Sequence, residues 1–327
     1  MSYGSRCGTR QFPSIPFLAA LCVAGALQVA RPQHAAAQAT ILVNTSNDED
    51  TNNATCSLRE AIIAANTNGS YHGCIASGAG VGDVISFALG TGTPRINIGA
   101  TPLPVITQWV TINGGAGRVE LHGPGGPPVS GQHGLTVSPT GFGTTIRNLV
   151  INNFADDGIF INADEVSVVG CYIGTDATGT MAVPNQGFGV QVGGGNGAHI
   201  GGATSGGPCA GDCNVISGTS PLKANVLLDI NATGAVVRGN FIGTDVTGTT
   251  AVIPNGSGVI DKGKNDRIGG PNGTTPGGAC TGDCNLISGN GNGGGILIDQ
   301  AATGSIIRGN FIGTDVTGNN AISNGLG

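Results

Sequence analysis

The feature that most constrains this chain is a ten-residue segment that recurs at a fixed interval. Gly-Asn-Phe-Ile-Gly-Thr-Asp-Val-Thr-Gly occupies residues 239–248 and 309–318, and a degenerate copy occupies residues 170–179. The interval between the copies is nearly constant, and a Cys-x-x-x-Cys segment at 209–213 recurs at 280–284. Repetition at a fixed period predicts a solenoid, because each unit can bury its apolar face only by stacking on its neighbours.

The composition is compatible with such a stack. Gly and Pro make up 77 of the 327 residues, a share close to that of disordered chains. Charged residues amount to only 10%, however, and aliphatic residues recur in phase with the repeat. With aromatic residues at 4%, we expect a core of stacked Val, Ile and Leu.

The segments between the repeated motifs resemble short strands. Residues 226–230 and 296–299 alternate apolar and other residues, which places Asp229 and Asp299 on an outer face. Gly, Asn and Thr bound these segments and favour turns. The lack of helices between them argues against a doubly wound α/β fold. About three coils of roughly 23 residues would fill one period, which gives roughly nine coils from residue 110 onward and a body roughly 45 Å long.

Residues 1–39 have the pattern of a cleaved signal peptide. Arg6 and Arg10 precede an apolar stretch at 17–30, and Ala-Gln-Ala at 37–39 fits a cleavage site, so we expect the mature chain to begin at Thr40. The stretch is too short and interrupted for a membrane span, so no membrane insertion is expected. This pattern predicts a protein that is secreted or displayed at the cell surface.

The charge of the remaining chain excludes one class of partner. Residues 1–39 contain three of the 13 basic residues and none of the 19 acidic ones, so the formal net charge changes from −6 to −9. The chain has no cluster of Lys and Arg that could neutralise a row of phosphates. Nucleic acid is therefore not an expected partner.

Residues 56–66 predict the one convincing helix. Ser57 and Glu60 have the spacing of a capping box, and Leu58, Ile62 and Ala65 fall on one face. Asn, Thr and Gly at 66–69 end the helix. A helix at this position is well placed to cover the open sheet edge of a solenoid's first coil.

The helix motif, Cys-Ser-Leu-Arg-Glu-Ala-Ile-x-Ala-Ala-Asn, resembles the signature of the CSLREA-domain proteins. This resemblance implies an all-β, right-handed parallel β-helix solenoid of the pectin-lyase-like type, preceded by a capping segment, and export from the cell. It implies no established activity. The expected organisation is a signal peptide at 1–39, a capping region at 40–110 and β-helix repeats at 111–327. Because the sequence ends inside a fresh repeat, we expect it to be part of a longer chain that carries an anchor or export domain.

Seven of the nine cysteines follow residue 39. Cys209 and Cys213, and likewise Cys280 and Cys284, are expected to form local disulfides, because the two pairs would lie about three coils, or roughly 14 Å, apart. Cys56 and Cys74 are expected to clamp the helix. Free thiols and a thiolate metal site are the alternatives. Cys171 is left over, at the position where other copies have asparagine, and is predicted to point inward.

Three aspartates, Asp176, Asp245 and Asp315, occupy the same place in the three copies of the motif. A row of calcium sites is one interpretation, since calcium takes carboxylate oxygens. The favoured interpretation is a turn in which Asp and the neighbouring Thr bond their own backbone. Calcium at these residues is therefore the alternative to an expectation of no metal and no other cofactor.

The only adjacent carboxylates that suggest catalysis are Asp156 and Asp157. Hydrolases of similar architecture use clustered acids, but this pair lacks the motifs that accompany them, and the histidines at 72, 122, 133 and 199 show no partner spacing. Asp164 and Glu165 are the nearest further acids. Trp109 is the only tryptophan, which gives little support to sugar stacking.

The sequence thus favours a non-enzymatic, secreted or surface-displayed β-helical protein with an adhesive or structural role. An enzyme is the less favoured class. The near-identical repeats motivate this preference, because duplicated coils extend a stalk whereas an active site requires one coil to differ. A polysaccharide lyase or glycoside hydrolase acting on an acidic polysaccharide in a groove of the β-helix is the alternative. The expected partner is an extracellular polysaccharide or a surface protein.

Overall fold

The computed structural model describes residues 38–76, 82–274 and 278–326. The predicted signal peptide lies outside this part of the chain, except for its last two residues. The elements, in chain order, are β1 (Thr40–Val43), α1 (Leu58–Thr67), β2 (Asp83–Phe87), β3 (Arg95–Asn97), β4 (Val110–Asn113), β5 (Val119–His122), β6 (Leu135–Val137), a 3-10 turn (Pro139–Gly141), β7 (Thr145–Arg147), β8 (Leu149–Asn152), β9 (Ile159–Asn162), β10 (Ser167–Val169), β11 (Tyr172–Ile173), β12 (Val190–Asn196), β13 (His199–Ile200), β14 (Val215–Ile216), β15 (Ala224–Thr233), β16 (Val236–Val237), β17 (Phe241–Ile242), β18 (Ser257–Asp261), β19 (Arg267–Gly269), β20 (Leu286–Ile287), β21 (Ile296–Ile298), β22 (Ile306–Arg308) and β23 (Phe311–Ile312).

The strands form three parallel sheets that the chain visits in rotation. Sheet 1 has nine strands in the order β1-β2-β4-β7-β10-β13-β16-β19-β22, sheet 2 has eight from β3 to β23, and sheet 3 has six from β6 to β21. From β4 onward, each turn of the chain adds one strand to sheet 1, then to sheet 2, then to sheet 3. Parallel crossovers are right-handed in nearly all proteins. The fold is a right-handed parallel β-helix, as the sequence predicted.

The expected coil length was wrong. One period of the repeat separates β10, which begins at Ser167, from β16, which begins at Val236, and only β13 lies between them in sheet 1. A period therefore contains two long coils and not the three shorter ones that the sequence suggested. Seven strands of sheet 1, not nine, follow residue 109. The additional residues lie in two excursions from the coil, the Cys-x-x-x-Cys loop and the turn after each Gly-Thr-Asp.

The core lies between the three sheets and consists of aliphatic columns that run through the coils. In sheet 1 the parallel register aligns one inward residue from each strand, and in sheet 2 it aligns another. The members of these columns are fully buried and comprise Ile112, Ile146, Val168, Ile200, Val237 and Ile268 in sheet 1 and Leu121, Ile151, Ile173, Ile216, Ile242 and Ile287 in sheet 2. Each residue buries its side chain against its equivalents in the coils above and below.

Helix α1 packs against the first two strands of sheet 1, and its buried residues belong to the same core as the columns. The predicted capping box is present, with the Ser57 side chain accepting from the Glu60 N–H and the Glu60 carboxylate accepting from the Ser57 N–H at 2.9 Å. Asn68 ends the helix in the left-handed conformation, φ 51°. Sheet 1 already begins at β1, so the capping region shares a sheet with the repeats.

A second, smaller apolar cluster covers the outer face of sheet 2. It contains Tyr172, Val215, Phe241 and Leu286, which point outward from their strands, and the four cysteines of the two Cys-x-x-x-Cys loops. The loops fold back over the strands and bury these side chains, and Phe241 is fully buried as a result. The repeated phenylalanine therefore has a packing role. Among the described residues, no helix has the length and apolar character needed to cross a membrane.

Candidate functional site

The repeated asparagines form a buried hydrogen-bonded ladder. Asn214 Nδ2 donates to Asn240 Oδ1 at 2.9 Å, Asn240 Nδ2 donates to Asn285 Oδ1 at 3.0 Å, and Asn285 Nδ2 donates to Asn310 Oδ1 at 2.9 Å. The same amides bond backbone groups at the end of sheet 1, for example the carbonyl of Val237 at 2.8 Å. These residues join coils and have no free polar atoms to offer a ligand.

Cys171 lies at the foot of this ladder. Its backbone N–H donates to Asn214 Oδ1 at 2.8 Å, in the way that Asn240 N donates to Asn285, and its neighbour in the preceding coil is Leu149. The thiol is buried and has no disulfide partner among the described cysteines, and burial raises its pKa to about 11. The Cys171 side chain therefore points inward, between the apolar Leu149 and the asparagine ladder. This buried environment disfavours the reactive thiolate.

The three disulfides expected from the sequence are present. Cys56 is bonded to Cys74, Cys209 to Cys213 and Cys280 to Cys284. The first bond joins the N-terminal end of α1 to residue 74, and the other two close the loops that cover sheet 2. A thiolate metal site at these six cysteines is incompatible with this pairing.

The repeated aspartates organise the turns that follow them. Asp176 Oδ1 accepts from the N–H groups of Thr180 and Met181 at 3.0 Å, and its Oδ2 accepts from the Thr178 hydroxyl at 2.6 Å. Asp245 and Asp315 accept from the equivalent threonines, Thr247 and Thr317. Burial alone would raise the pKa of Asp176, but these hydrogen bonds outweigh it and lower the pKa. The contacts are those of the turn interpretation, and calcium at these positions stays the untested alternative.

In the structure, Asp156 and Asp157 lie beside a histidine, His133. They precede β9, and His133 precedes β6, the strand that pairs with β9 in the preceding coil. Because Leu135 is opposite Ile159, the parallel register places His133 beside Asp157. His133 Nδ1 lies 3.3 Å from Asp157 Oδ2 and 3.6 Å from Asp156 Oδ2. We call these three residues the His133 cluster.

The sequence did not reveal His133 as a partner of Asp157, because the two are far apart along the chain and nothing in the sequence marks the interval as one coil. Asp164 and Glu165, which the sequence suggested as further acids of the same site, lie beyond the far end of β9. Asp164 accepts from the Asn196 N–H at 2.8 Å, and Glu165 lies 3.9 Å from His199. They belong to a different corner of the coil.

The His133 cluster is held by its surroundings on several sides. Asp157 Oδ1 accepts from the Phe188 N–H of the following coil at 2.7 Å, and Asp156 Oδ2 accepts from the Gly131 N–H at 2.8 Å. The His133 ring stacks on Phe160 with centroids 5.0 Å apart. Asp157 is buried, whereas His133 and Asp156 reach solvent, so the cluster is open on one side.

A second carboxyl pair, in the core, also escaped sequence analysis. Asp261 is aligned with Leu228 and Ile298 in sheet 3, and both Asp261 and Asp266 are fully buried. Burial, together with the adjacent Asp261 carboxyl, raises the pKa of Asp266 to about 7. Within residues 38–76, 82–274 and 278–326, the Oδ2 atoms of both residues accept no hydrogen bond from another group, and a proton shared between them satisfies both. Access to a substrate is excluded by their burial.

Arginines follow the outer face of sheet 1. Arg238 forms an ion pair with Asp283 at 3.0 Å, and Arg147 approaches Asp212 at 3.6 Å. Arg238, Arg267 and Arg308 line one shallow cleft. Among the described residues, neither Arg267 nor Arg308 forms an ion pair with a carboxylate, which leaves this part of an acidic protein locally cationic.

Comparisons with known proteins do not assign this chain to a family. No family model matches the chain, and no curated protein matches it. A search of solved structures finds similarity to the crystal structure of pectate lyase Pel9A, with 13% sequence identity and a TM-score of 0.48. The match covers 86% of this chain and 66% of that one, so the chain spans just under two thirds of its length.

Proposed function

We propose that the protein is an exported, non-enzymatic β-helical repeat protein with an adhesive or structural role. The observation that carries this proposal is that the repeated polar residues bond groups within the fold. The asparagines bond one another between coils, the aspartates bond their own turns, and the repeated cysteines are paired. Repeats whose polar groups all serve the fold can be duplicated to lengthen a body without creating or losing a site.

Export is supported by the disulfides. Three bonds in one chain fit an oxidising compartment, where such bonds persist, and they agree with the signal-peptide pattern at the N-terminus. N-terminal sequencing of secreted protein tests this part of the proposal. A chain that begins at Thr40 supports it, and an intact Met1 contradicts it.

For an adhesive role, the arginine cleft of sheet 1 favours an acidic polysaccharide as partner. Uronate carboxylates suit guanidinium groups, which bind planar anions in a bidentate manner. Arg267 and Arg308 project from neighbouring strands of the same face, β19 and β22, and are free of intramolecular ion pairs in the described part of the chain. Binding of this kind weakens as salt is added.

The test is binding of the purified protein to a polyuronate and to a neutral glucan, at low and high salt. We expect salt-sensitive retention on the polyuronate alone. Arg267→Ala should weaken it about tenfold, since a charge-assisted hydrogen bond contributes roughly 1.5 kcal/mol. Lys264→Ala, which removes a cation outside the cleft, is the matched control. Equal binding to both polymers, or equal loss in both variants, contradicts the assignment of the cleft.

One observation favours the enzymatic alternative, a polysaccharide lyase or hydrolase. The His133 cluster occurs once, between two adjacent coils outside the well-matched repeats, and combines an imidazole with two carboxylates. A general acid or base contributes roughly a hundredfold or more to a rate. If the cluster is catalytic, Asp157→Asn should lower turnover of pectin, alginate or a related polymer by about that factor. No turnover by the folded wild-type protein leaves the non-enzymatic proposal in place.

A further inference from the structure

Three acceptor atoms converge in the His133 cluster. His133 Nδ1, Asp156 Oδ2 and Asp157 Oδ2 all lie within 4.8 Å of one another. The backbone N–H of Asp157 donates a long hydrogen bond to His133 Nδ1 at 3.3 Å, and a bound cation would replace this bond because the imidazole nitrogen has one lone pair. One imidazole nitrogen and two carboxylates thus face one another, an arrangement that a bound cation stabilises.

The Asp157 carboxylate gives the second indication of a cation. Its Oδ1 accepts from the Phe188 N–H, but Oδ2 is buried, has no hydrogen-bond partner in the described part of the chain and is directed at His133. An ionised oxygen that is removed from water without a partner is costly. Asp157 itself is only 1% exposed.

A similar cluster near the helix shows what a satisfied arrangement looks like. His72 lies 3.0 Å from Glu60 Oε1 and 3.4 Å from Asp50 Oδ1. There, Glu60 Oε1 also accepts from the Thr51 N–H, Oε2 accepts from the Ser57 N–H, and Asp50 accepts from the Tyr71 hydroxyl. Each of these carboxylates has donors of its own, and the cluster needs no ion. The His133 cluster differs in one atom, because Asp156 and Asp157 each accept from a backbone N–H but Asp157 Oδ2 has no donor among the described residues.

The chemistry of the ligand atoms selects the class of ion, and their spacing is compatible with it. Ligands about 2.0–2.1 Å from a tetrahedral ion lie roughly 3.3 Å from one another. The His133–Asp157 and His133–Asp156 separations of 3.3 and 3.6 Å are close to this value. Calcium takes six to eight oxygen ligands, whereas an imidazole with carboxylates suits zinc and its neighbours in the transition series.

We propose that His133, Asp156 and Asp157 bind one divalent transition-metal ion of the zinc class. The open side of the cluster leaves the remaining coordination position to water or to an anionic group of a ligand. Phe160 and the Phe188 N–H orient the imidazole and the Asp157 carboxylate, respectively. The proposal is independent of the arginine cleft and of the adhesive role.

Equilibrium dialysis of the full chain against zinc, after chelation and in buffer without a reducing agent, tests the proposal. We expect one equivalent of zinc per chain. His133→Ala should weaken binding by more than about a hundredfold, beyond the roughly 10–100-fold that loss of an outer-shell partner costs. Asp156→Asn should weaken it at least about tenfold. His199→Ala, which removes an exposed imidazole near a carboxylate, should have no effect.

Circular dichroism reports whether each variant is folded. Because the Asp156 side chain is partly exposed and, among the described residues, accepts a hydrogen bond from the Gly131 N–H alone, Asp156→Asn decides the matter if His133→Ala fails to fold. Failure of the folded wild-type protein to bind zinc overturns the proposal. Zinc binding that is unchanged in both His133→Ala and Asp156→Asn places the ion elsewhere and also overturns it.

Discussion

At the scale of single residues, the buried asparagines of this protein satisfy their polar groups by hydrogen-bonding one another. A buried asparagine has two donors and two acceptor positions, and stacking identical coils supplies a partner for each from the next copy. Asn285 makes four such contacts, with Asn240 twice, with Val237 and with Asn310. Because each asparagine of the ladder bonds its equivalent in the next coil, having the same residue in every repeat stabilises the stack.

The ladder predicts a large effect of one substitution. Asn285→Ala removes the side-chain partner of the buried Asn240 N–H and Val237 carbonyl and the donor to the half-buried Asn310 amide oxygen, and we expect it to lower the free energy of unfolding by about 3 kcal/mol. Asn231→Ala, on the exposed face of β15, should change it by less than about 0.5 kcal/mol. Urea unfolding measures both. Equal effects would contradict the role assigned to the ladder.

Cys171 gives a second prediction at this scale. Since the thiol is buried and its pKa is raised to about 11, alkylation of the native protein at pH 8 should leave the peptide that contains it unmodified. Unfolding without reduction should expose this thiol and leave the three bonded pairs unmodified. Peptide mapping by mass spectrometry measures both states. Rapid labelling of native Cys171 would show that the thiol is accessible.

The sequence predicted those site features that depend on neighbours along the chain. Cys209 and Cys213, or Asp176 and Thr178, are close enough in sequence for their bonds to follow from local geometry. His133 and Asp157 meet only because one coil returns the chain to the same corner. Predicting that contact would have required the length of this coil, which the repeats elsewhere do not fix.

At the scale of elements, the helix was predictable and the coil length was not. The capping box, the apolar face and the Asn68 stop are local signals, and all three are present in α1. Coil length depends on how many residues leave the coil. The bridges Thr175–Ala182, Thr244–Ala251 and Thr314–Ala321 close small excursions whose residues add to the period without adding a coil. Composition alone does not separate such excursions from strands.

The Asp261–Asp266 pair is a feature of one coil, in which Asp261 stands where the neighbouring strands of sheet 3 have Leu228 and Ile298. The pKa of Asp266 is raised from 3.8 to about 7 in the folded protein. The folded state therefore holds a proton that the unfolded chain releases near pH 4. This stabilising contribution is complete below about pH 4 and is lost as the pH rises through 7.

Asp266→Asn should remove that pH dependence. The amide retains an oxygen to accept from the Ala235 N–H and gains a donor toward Asp261. At pH 8 we expect its melting temperature to exceed that of the wild type by at least about 3 °C, with little difference at pH 4. Asp229→Asn, on the half-buried end of β15, is the control and should not change the slope. Identical pH profiles for the wild type and Asp266→Asn would contradict the shared proton.

At the scale of the whole molecule, each period of the repeat consists of two coils that stack as equivalent units. Strands two apart in sheet 1 begin at matching points of successive periods, β10 at Ser167, β16 at Val236 and β22 at Ile306. Removing residues 170–238 joins Val169 to Gly239 at equivalent points of two coils. The shortened chain keeps the register of all three sheets, and its body should be about 10 Å shorter, at about 4.8 Å per coil.

The most direct test of this two-coil repeat is thermal unfolding of the chain that lacks residues 170–238, followed by circular dichroism. We predict a strand-rich spectrum with the same ellipticity per residue as the full chain, and cooperative unfolding. Deletion of only residues 170–192, about a third of the period, should abolish cooperative unfolding because it leaves an incomplete coil. A folded 170–192 deletion beside an unfolded 170–238 deletion would contradict the two-coil repeat.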